Sequence, residues 1–230
     1  MEIAPHDFWQ ELHPPGTFET AGDLTHFFVA ELDDGRQLRL PIRVLADGEH
    51  ALASLIVNQA SFAVLDALAT ALAARLQQFK PDVIAGLPTL GLTLAAAVAQ
   101  KLGHIRYVPL GTSRKFWYRD DLSVALSSIT TPDQQKRLYI DPRMLPLLEG
   151  RRVALVDDVI SSGTSIVSGL GLLDQCGIEP VAIGAAMLQS GRWRGKLAAA
   201  GGQWLDRTTG VFATPILEKT ADGRWRAPAP

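Results

Sequence analysis

Residues 153–165 read Val153-Ala154-Leu155-Val156-Asp157-Asp158-Val159-Ile160-Ser161-Ser162-Gly163-Thr164-Ser165. The first four residues are apolar, which predicts a buried strand, and two carboxylates follow it directly. A turn of small and hydroxyl-bearing residues then leads into a segment with the apolar spacing of a helix. This order is typical of the ligand-binding edge of an open α/β sheet, because ligands lie at the carboxyl ends of its strands.

The segments on both sides of this stretch alternate between strand and helix in the same way. Strands are predicted at 82–86, 105–109, 153–156 and 181–187, and helices at 59–79, 95–102 and in the segment that ends at Leu173. Continuous apolar strands separated by helices predict a parallel sheet that is covered on both faces. The fold class is therefore predicted to be α/β.

The N-terminal part of the chain has a different pattern. Residues 25–45 place apolar side chains on one side of an extended segment and Arg39 and Arg43 on the other, and Asp34-Gly35 supplies a tight turn; the apolar set is Leu38, Leu40, Ile42 and Val44. This pattern predicts an antiparallel hairpin. We therefore expect an N-terminal hood subdomain over 1–57, a core over 58–220 and a loose tail over 221–230.

The composition excludes several classes of protein. Apolar residues make up 47% and charged residues 20% of the 230 residues, which is ordinary globular usage, and the formal net charge is −2. This balance predicts no attraction to nucleic acid or to an anionic membrane. The single cysteine, Cys176, and five histidines without metal-ligand spacing fit a reducing cytoplasm. The N-terminus lacks a signal-peptide pattern, and no apolar stretch reaches the length of a membrane span.

The turn after the two acids has the chemistry of a phosphate site. Backbone N–H groups at a helix N-terminus bind an anion, and hydroxyls add further donors; the residues are Ser161, Ser162, Gly163, Thr164 and Ser165. Asp157 and Asp158 would repel a bare phosphate, so they imply ribose hydroxyls or a hydrated Mg²⁺ as partners. Together these groups predict a phosphosugar ligand. The alternative, in which the acids and serines only cap the turn and helix, explains one acid but not two.

This run of residues resembles the phosphoribosyl pyrophosphate (PRPP) motif of the type I phosphoribosyltransferases. The resemblance covers most of the chain from about residue 55 onward, and the layout is most similar to that of the xanthine and adenine members. It implies Mg²⁺-dependent transfer of the phosphoribosyl group from PRPP to a nucleobase, with a purine favoured. Asp157 and Asp158 would engage the ribose hydroxyls and the charge at C1′, and residues 161–165 would hold the 5′-phosphate.

The same resemblance assigns the remaining parts of the site. It implies a pyrophosphate loop after the first core strand, at Leu87, Pro88, Thr89, Leu90 and Gly91. This loop lacks a basic residue, which leaves the pyrophosphate charge to Mg²⁺ and to cations elsewhere. Arg114 and Lys115 correspond to a basic pair that reaches pyrophosphate in purine-type members, in some across a homodimer interface. The polar segment that follows, within 111–138, corresponds to the mobile loop that closes over the site and excludes water.

The identity of the acceptor base and the role of the basic segment leave alternatives open. By resemblance to xanthine members, Asn58 contacts the base, but it could equally cap the following helix. The sequence of residues 157–164 resembles the corresponding loop of orotate phosphoribosyltransferases, so a pyrimidine acceptor stays open. Residues 114–119 could also form a basic and aromatic RNA contact, although Asp120 and Asp121 adjoin them.

Two other functions compete with catalysis of phosphoribosyl transfer. A regulator could retain the fold to sense PRPP without turnover, since fold alone does not imply activity. The unmatched hairpin at 25–45 favours this reading, whereas the intact pair of acids and the long loop favour an enzyme. A phosphosugar hydrolase would need a third acidic metal ligand that the sequence does not place.

Overall fold

The computed structural model of the protein describes residues 3–126 and 136–228. Its strands are β1 (Phe27–Glu31), β2 (Gln37–Val44), β3 (His50–Ala53), β4 (Val83–Gly86), β5 (Val108–Pro109), β6 (Ser123–Ala125), β7 (Arg137–Tyr139), β8 (Val153–Ile160), β9 (Ala182–Gln189), β10 (Thr208–Thr214), β11 (Ile216–Lys219) and β12 (Trp225–Arg226). Its helices are α1 (Phe62–Leu76), α2 (Gly91–Lys101), α3 (Thr164–Gln175), α4 (Trp193–Ala200) and α5 (Gln203–Asp206).

A five-stranded parallel sheet, in the order β10-β9-β8-β4-β5, forms the centre of the molecule. Side chains of β8 alternate between its faces: Ala154 and Val156 pack with α1 and α2, whereas Val153 and Leu155 pack with α3 and α4. This arrangement confirms the predicted α/β class with helices on both faces. Among the described residues, no helix is both long and apolar enough to cross a bilayer.

Three strands of this sheet differ from the prediction. Strand β8, predicted over 153–156, continues to Ile160 by pairing with β9, so Asp157 and Asp158 lie within it. The predicted strand at 105–109 shortens to Val108–Pro109, because Ile105 is 93% exposed and contributes nothing to the core. The edge strand β10 was not predicted, because its sequence, TTGVFAT, has neither a continuous apolar run nor strict alternation. Its place at the end of the sheet is set by parallel pairing with β9.

A second sheet is antiparallel, in the order β1-β2-β3-β11-β12, and its β1–β2 pair confirms the predicted hairpin. Leu38 and Leu40 are fully buried as expected, but Val44 at the end of β2 is exposed. Leu24, just before β1, and Trp225 in β12 exchange both backbone hydrogen bonds, at 2.7 and 2.8 Å. The segment just before the first strand is therefore paired with the last strand, β12.

Part of the segment predicted as a loose tail over 221–230 belongs to this sheet, as strand β12. Trp225 is only 7% exposed and packs with Ala51 and Leu217, because β12 closes one side of the antiparallel sheet. Arg226 also pairs with Asp23 at 2.6 Å. The sheet thus combines strands from both ends of the chain. Strands β1 to β3 precede the boundary predicted at 57, β11 precedes the one predicted at 220, and β12 follows it.

The parallel sheet positions a binding edge between β4 and β8. The chain leaves β4 through α2 toward β5, and leaves β8 through α3 toward β9, so the two connections diverge on opposite faces. A crevice at the carboxyl ends of such diverging strands is where ligands bind in open α/β sheets. The antiparallel sheet is anchored near this edge, since Gln189 at the end of β9 donates a hydrogen bond to the Ala53 carbonyl at 2.6 Å.

The start of α1 gives a first prediction of stability. Ser61 is the N-cap of this helix, and its Oγ accepts a hydrogen bond from the Val64 N–H at 3.2 Å. Ser61→Ala leaves that N–H without its partner, so we expect the free energy of unfolding to fall by about 1 kcal/mol in urea denaturation. Asn58→Ala, which removes an exposed side chain outside the cap, is the control and should leave it unchanged. Equal stability of both variants would contradict the capping role.

Candidate functional site

The two acids lie in the carboxyl half of β8, the central strand of the parallel sheet. Asp157 and Asp158 are each 7% exposed, and the Asp158 N–H donates to Asp157 Oδ1 at 2.9 Å. Burial away from water, followed by the neighbouring Asp158 carboxylate, raises the pKa of Asp157 well above its usual range. Burial also raises the pKa of Asp158. Because ionising both carboxyls is costly here, the pair has a strong tendency to take up a cation or hydroxyl donors.

This pair of acids makes folding depend on pH. A carboxyl whose pKa is raised by folding stabilises the fold fully below its unfolded value of about 3.9, and that stability is lost as pH rises through the folded pKa. Asp157→Asn has no carboxyl to ionise at this position. We therefore expect its melting temperature to exceed that of the wild type at neutral pH, with the difference shrinking as pH falls toward about 4. A difference that is constant with pH would contradict the buried ionisation.

The predicted pyrophosphate loop lies directly against these acids. The Leu87 N–H donates to the Val156 carbonyl at 2.9 Å, and the peptide bond between Pro88 and Thr89 is cis. A Cβ built on Gly91 would lie 2.5 Å from Asp157 Oδ1 and 2.8 Å from its Cα. Only glycine therefore fits where the loop enters α2, and residues 87–91 lie beside Asp157.

The hydroxyl-rich turn encloses a small cavity of about 80 Å³, lined by Asp157, Val159, Ile160, Ser161, Ser162, Gly163, Thr164, Ser165 and Ile166. All five predicted phosphate-binding residues therefore line one space. Gly163 has a φ of +78°, and the Ser162 and Thr164 hydroxyl oxygens are 3.1 Å apart. The turn ends at the N-terminus of the 12-residue helix α3, so its backbone N–H groups suit an anion of phosphate size.

Two cations that the sequence analysis did not single out also reach this turn. Arg192 Nη2 lies 3.4 Å from Ser161 Oγ, and Lys196 Nζ lies 2.5 Å from Thr164 Oγ1. Both follow β9, the strand next to β8, at the carboxyl edge of the sheet. The sequence held one sign of them: two basic residues spaced four apart soon after the strand predicted at 181–187.

Other predicted residues are not gathered at the acids. Arg114 pairs with Asp120 at 3.0 Å, and Lys115 is exposed next to it. Asn58 is exposed in a short 3₁₀ helix, Val57–Gln59, and is not the N-cap of α1. The flanks of the predicted mobile loop pair as β6 and β7, while residues 127–135 of that loop lie outside the described part of the chain.

The donor set fits Mg²⁺ that is shared with a substrate. Within residues 3–126 and 136–228, no group of three or more His, Cys, Asp or Glu side chains could hold a metal by itself. Mg²⁺ characteristically keeps several waters and binds one or two carboxylates together with substrate phosphates. Asp157 and Asp158 provide such carboxylates beside a phosphate-sized cavity.

Comparison with known proteins gives relatives of several kinds. "Bifunctional protein PyrR" of Streptomyces coelicolor is 36% identical over 112 residues, which are 46% of this chain and 51% of that protein. Adenine phosphoribosyltransferase of Albidiferax ferrireducens is 31% identical over 127 residues, 53% of this chain and 60% of that protein. The chain thus spans about half the length of these curated relatives.

Structural and family comparisons agree on the fold. The crystal structure of adenine phosphoribosyltransferase from Thermoanaerobacter pseudethanolicus superposes with a TM-score of 0.55 at 23% identity, over 66% of this chain and 81% of that one. The family model described as the phosphoribosyl transferase domain matches residues 57–199, which include both acids and both predicted phosphate loops. The chain therefore belongs to the phosphoribosyl transferase domain family.

Proposed function

We propose that the protein is a Mg²⁺-dependent phosphoribosyltransferase that transfers the 5-phosphoribosyl group from PRPP to a nucleobase, with a purine favoured. One observation carries the proposal: two buried acids, a glycine-ended loop and a hydroxyl-rich cavity meet at one crevice of the parallel sheet. These are the groups that a phosphosugar with a pyrophosphate substituent requires.

In the proposed reaction, a ring nitrogen of the base forms a bond to C1′ while the bond from C1′ to the pyrophosphate oxygen breaks. The electron pair of that bond leaves with pyrophosphate, and the proton of the ring nitrogen passes to solvent. The transition state resembles an oxocarbenium ion, as in glycoside cleavage. Carboxylates that lie buried beside the sugar stabilise this positive charge more strongly than they would in water.

Each loop has a separate part in the proposal. Asp157 and Asp158 accept hydrogen bonds from the ribose hydroxyls, the turn at 161–165 holds the 5′-phosphate, and the loop at 87–91 faces the pyrophosphate. Asp157 and Asp158 would hold Mg²⁺, which would supply Lewis-acid stabilisation of the leaving group. Holding both ends of the sugar fixes C1′ for attack, which removes much of the entropic barrier.

The base site and the basic pair are the less constrained parts of the proposal. We assign Asn58 to base contact because its exposed amide belongs to the segment that Gln189 and Ala53 anchor near the carboxyl edge. Arg114 and Lys115 do not reach the acids within one chain, so their proposed contact with pyrophosphate depends on a homodimer or on movement of their segment. Sedimentation of the purified protein measures the oligomeric state.

A second candidate function is a PRPP sensor without turnover. The similarity to "Bifunctional protein PyrR" supports it, since the name of that relative indicates a second function. Both candidates share the PRPP site and differ in whether a base is coupled to it.

The test incubates purified protein with PRPP and Mg²⁺ and adds adenine, hypoxanthine, guanine, xanthine, orotate or uracil singly, with pyrophosphate release as the readout. Release that depends on one purine is the expected result. Release with orotate alone would move the acceptor to a pyrimidine. If PRPP raises the melting temperature but no base releases pyrophosphate, the sensor replaces the enzyme.

A further inference from the structure

The cations of Arg192 and Lys196 converge on the rim of the hydroxyl-rich cavity. Lys196 Nζ contacts Thr164 Oγ1 at 2.5 Å, and Arg192 Nη2 contacts Ser161 Oγ at 3.4 Å. Thr164 and Ser161 both line the cavity of about 80 Å³. Two positive charges therefore lie at one small opening, whose lining includes these hydroxyls and, deeper, the buried Asp157 carboxyl.

Helix α4 holds these two cations in place. Arg192 is its N-cap and Lys196 lies four residues later, so both project from the same side. Trp193 and Leu197, one residue further along, are buried with the same spacing. A Cβ on Gly163 would lie 3.2 Å from the Trp193 carbonyl oxygen and 3.2 Å from Leu197 Cδ1, so α4 packs tightly on the turn.

Neither cation has an acidic partner among the residues that the structure describes. Most arginines there form salt bridges with carboxylates, whereas Arg192 and Lys196 contact only hydroxyl groups of Ser190, Ser161 and Thr164. A full charge that faces neutral oxygens at a cavity mouth is complementary to an anion, and hydrogen bonds between ions are the stronger kind.

We propose that Arg192 and Lys196 are part of the binding site for the 5′-phosphate of the sugar, where they select a phosphate monoester that carries two negative charges. This inference rests on the proposed function. The backbone N–H groups of 161–165 orient the phosphate, and the two side chains close over its outer oxygens from α4. Arg192 and Lys196 are thus specificity residues at the end of the sugar opposite the reacting carbon.

The experiment measures binding of ribose 5-phosphate and, separately, of pyrophosphate with Mg²⁺ by titration calorimetry. Lys196→Ala and Arg192→Ala are compared with Arg194→Ala, which removes a positive charge from the same helix. Arg194 stacks on Trp193 at 5.0 Å and has no hydrogen bond to the turn. Lys196→Arg tests whether a charge at this position restores binding.

We expect Lys196→Ala to weaken ribose 5-phosphate about tenfold, with a smaller loss for Arg192→Ala, since hydrogen bonds to charged groups are the costlier ones to remove. Both alanine variants should bind pyrophosphate as the wild type does. Arg194→Ala should bind ribose 5-phosphate with wild-type affinity, and Lys196→Arg should recover most of the affinity that Lys196→Ala loses. In turnover, the KM for PRPP should rise while kcat changes little.

Several results would overturn the inference: wild-type affinity in both alanine variants, an equal loss in Arg194→Ala, or no binding of ribose 5-phosphate by the wild type. Failure of the proposed enzyme function looks different. In that case ribose 5-phosphate still binds and Lys196→Ala still weakens it, but no base releases pyrophosphate from PRPP.

Discussion

Asp158→Asn is expected to lower kcat for pyrophosphate release by about 100- to 1,000-fold, the range that loss of one preorganised charge-stabilising group produces. The carboxylate lies buried in the carboxyl half of β8, where water screens its charge poorly. Positive charge develops at the sugar only as the bond to pyrophosphate breaks. The lost interaction therefore belongs to the transition state, and kcat falls more than the affinity for PRPP changes.

The control for this variant is Asp174→Asn, which makes the same chemical change on an exposed residue of α3. Steady-state pyrophosphate release and the melting temperature are measured for both variants. Asp158→Asn should remain folded, because it removes a group whose ionisation burial opposes. An Asp158→Asn protein with more than about a tenth of the wild-type kcat would remove Asp158 from the proposed electrostatic role.

Gly91→Ala is expected to damage stability and activity together. Its new Cβ would lie 2.8 Å from the Asp157 Cα, and this neighbour is backbone of a central strand that cannot rotate away. Overpacking of this kind costs about 1–3 kcal/mol. The shift also moves the carboxylate from the sugar, and a displacement of about 1 Å can reduce turnover about 100-fold.

Gly171→Ala is the control that separates steric crowding at Gly91 from the general effect of replacing glycine by alanine. A Cβ at Gly171, on the exposed side of α3, would meet no atom within 4 Å. Gly171→Ala should therefore raise the free energy of unfolding by up to about 1 kcal/mol and leave turnover unchanged. Urea denaturation and kcat of the pair test the prediction. Wild-type values in Gly91→Ala would show that the loop does not press on Asp157.

The parts of the site that were predictable from sequence are those in which local pattern and chemistry coincide. The strand, the two acids and the turn at 161–165 are contiguous, so their order alone predicts a ligand site where β8 leads into the turn. Gly91 was predicted as part of a loop, but its contact with Asp157 was not, because that contact depends on β4 pairing with β8.

Other elements depend on contacts between distant residues. Strand β10 has no hydrophobic periodicity of its own, and its position is set by pairing with β9. Trp225 is held by contacts with Leu24 and Ala51, which lie in the N-terminal part of the chain. Arg192 and Lys196 meet the turn only because α4 packs on Gly163, about 30 residues away in sequence. Apart from the four-residue spacing of Arg192 and Lys196 after a strand, these contacts have no local signature that composition or spacing reveals.

The join between Leu24 and Trp225 has a consequence for the order of assembly during translation. Domains generally form as the chain emerges from the ribosome, at about 5–20 residues per second. Strands β1 to β3 are made early, but their sheet is completed by β11 and β12, which are made after every residue of the parallel sheet. The nascent chain therefore carries an open edge on its first sheet until residue 226 emerges, and a chaperone that binds exposed strands has that interval in which to act.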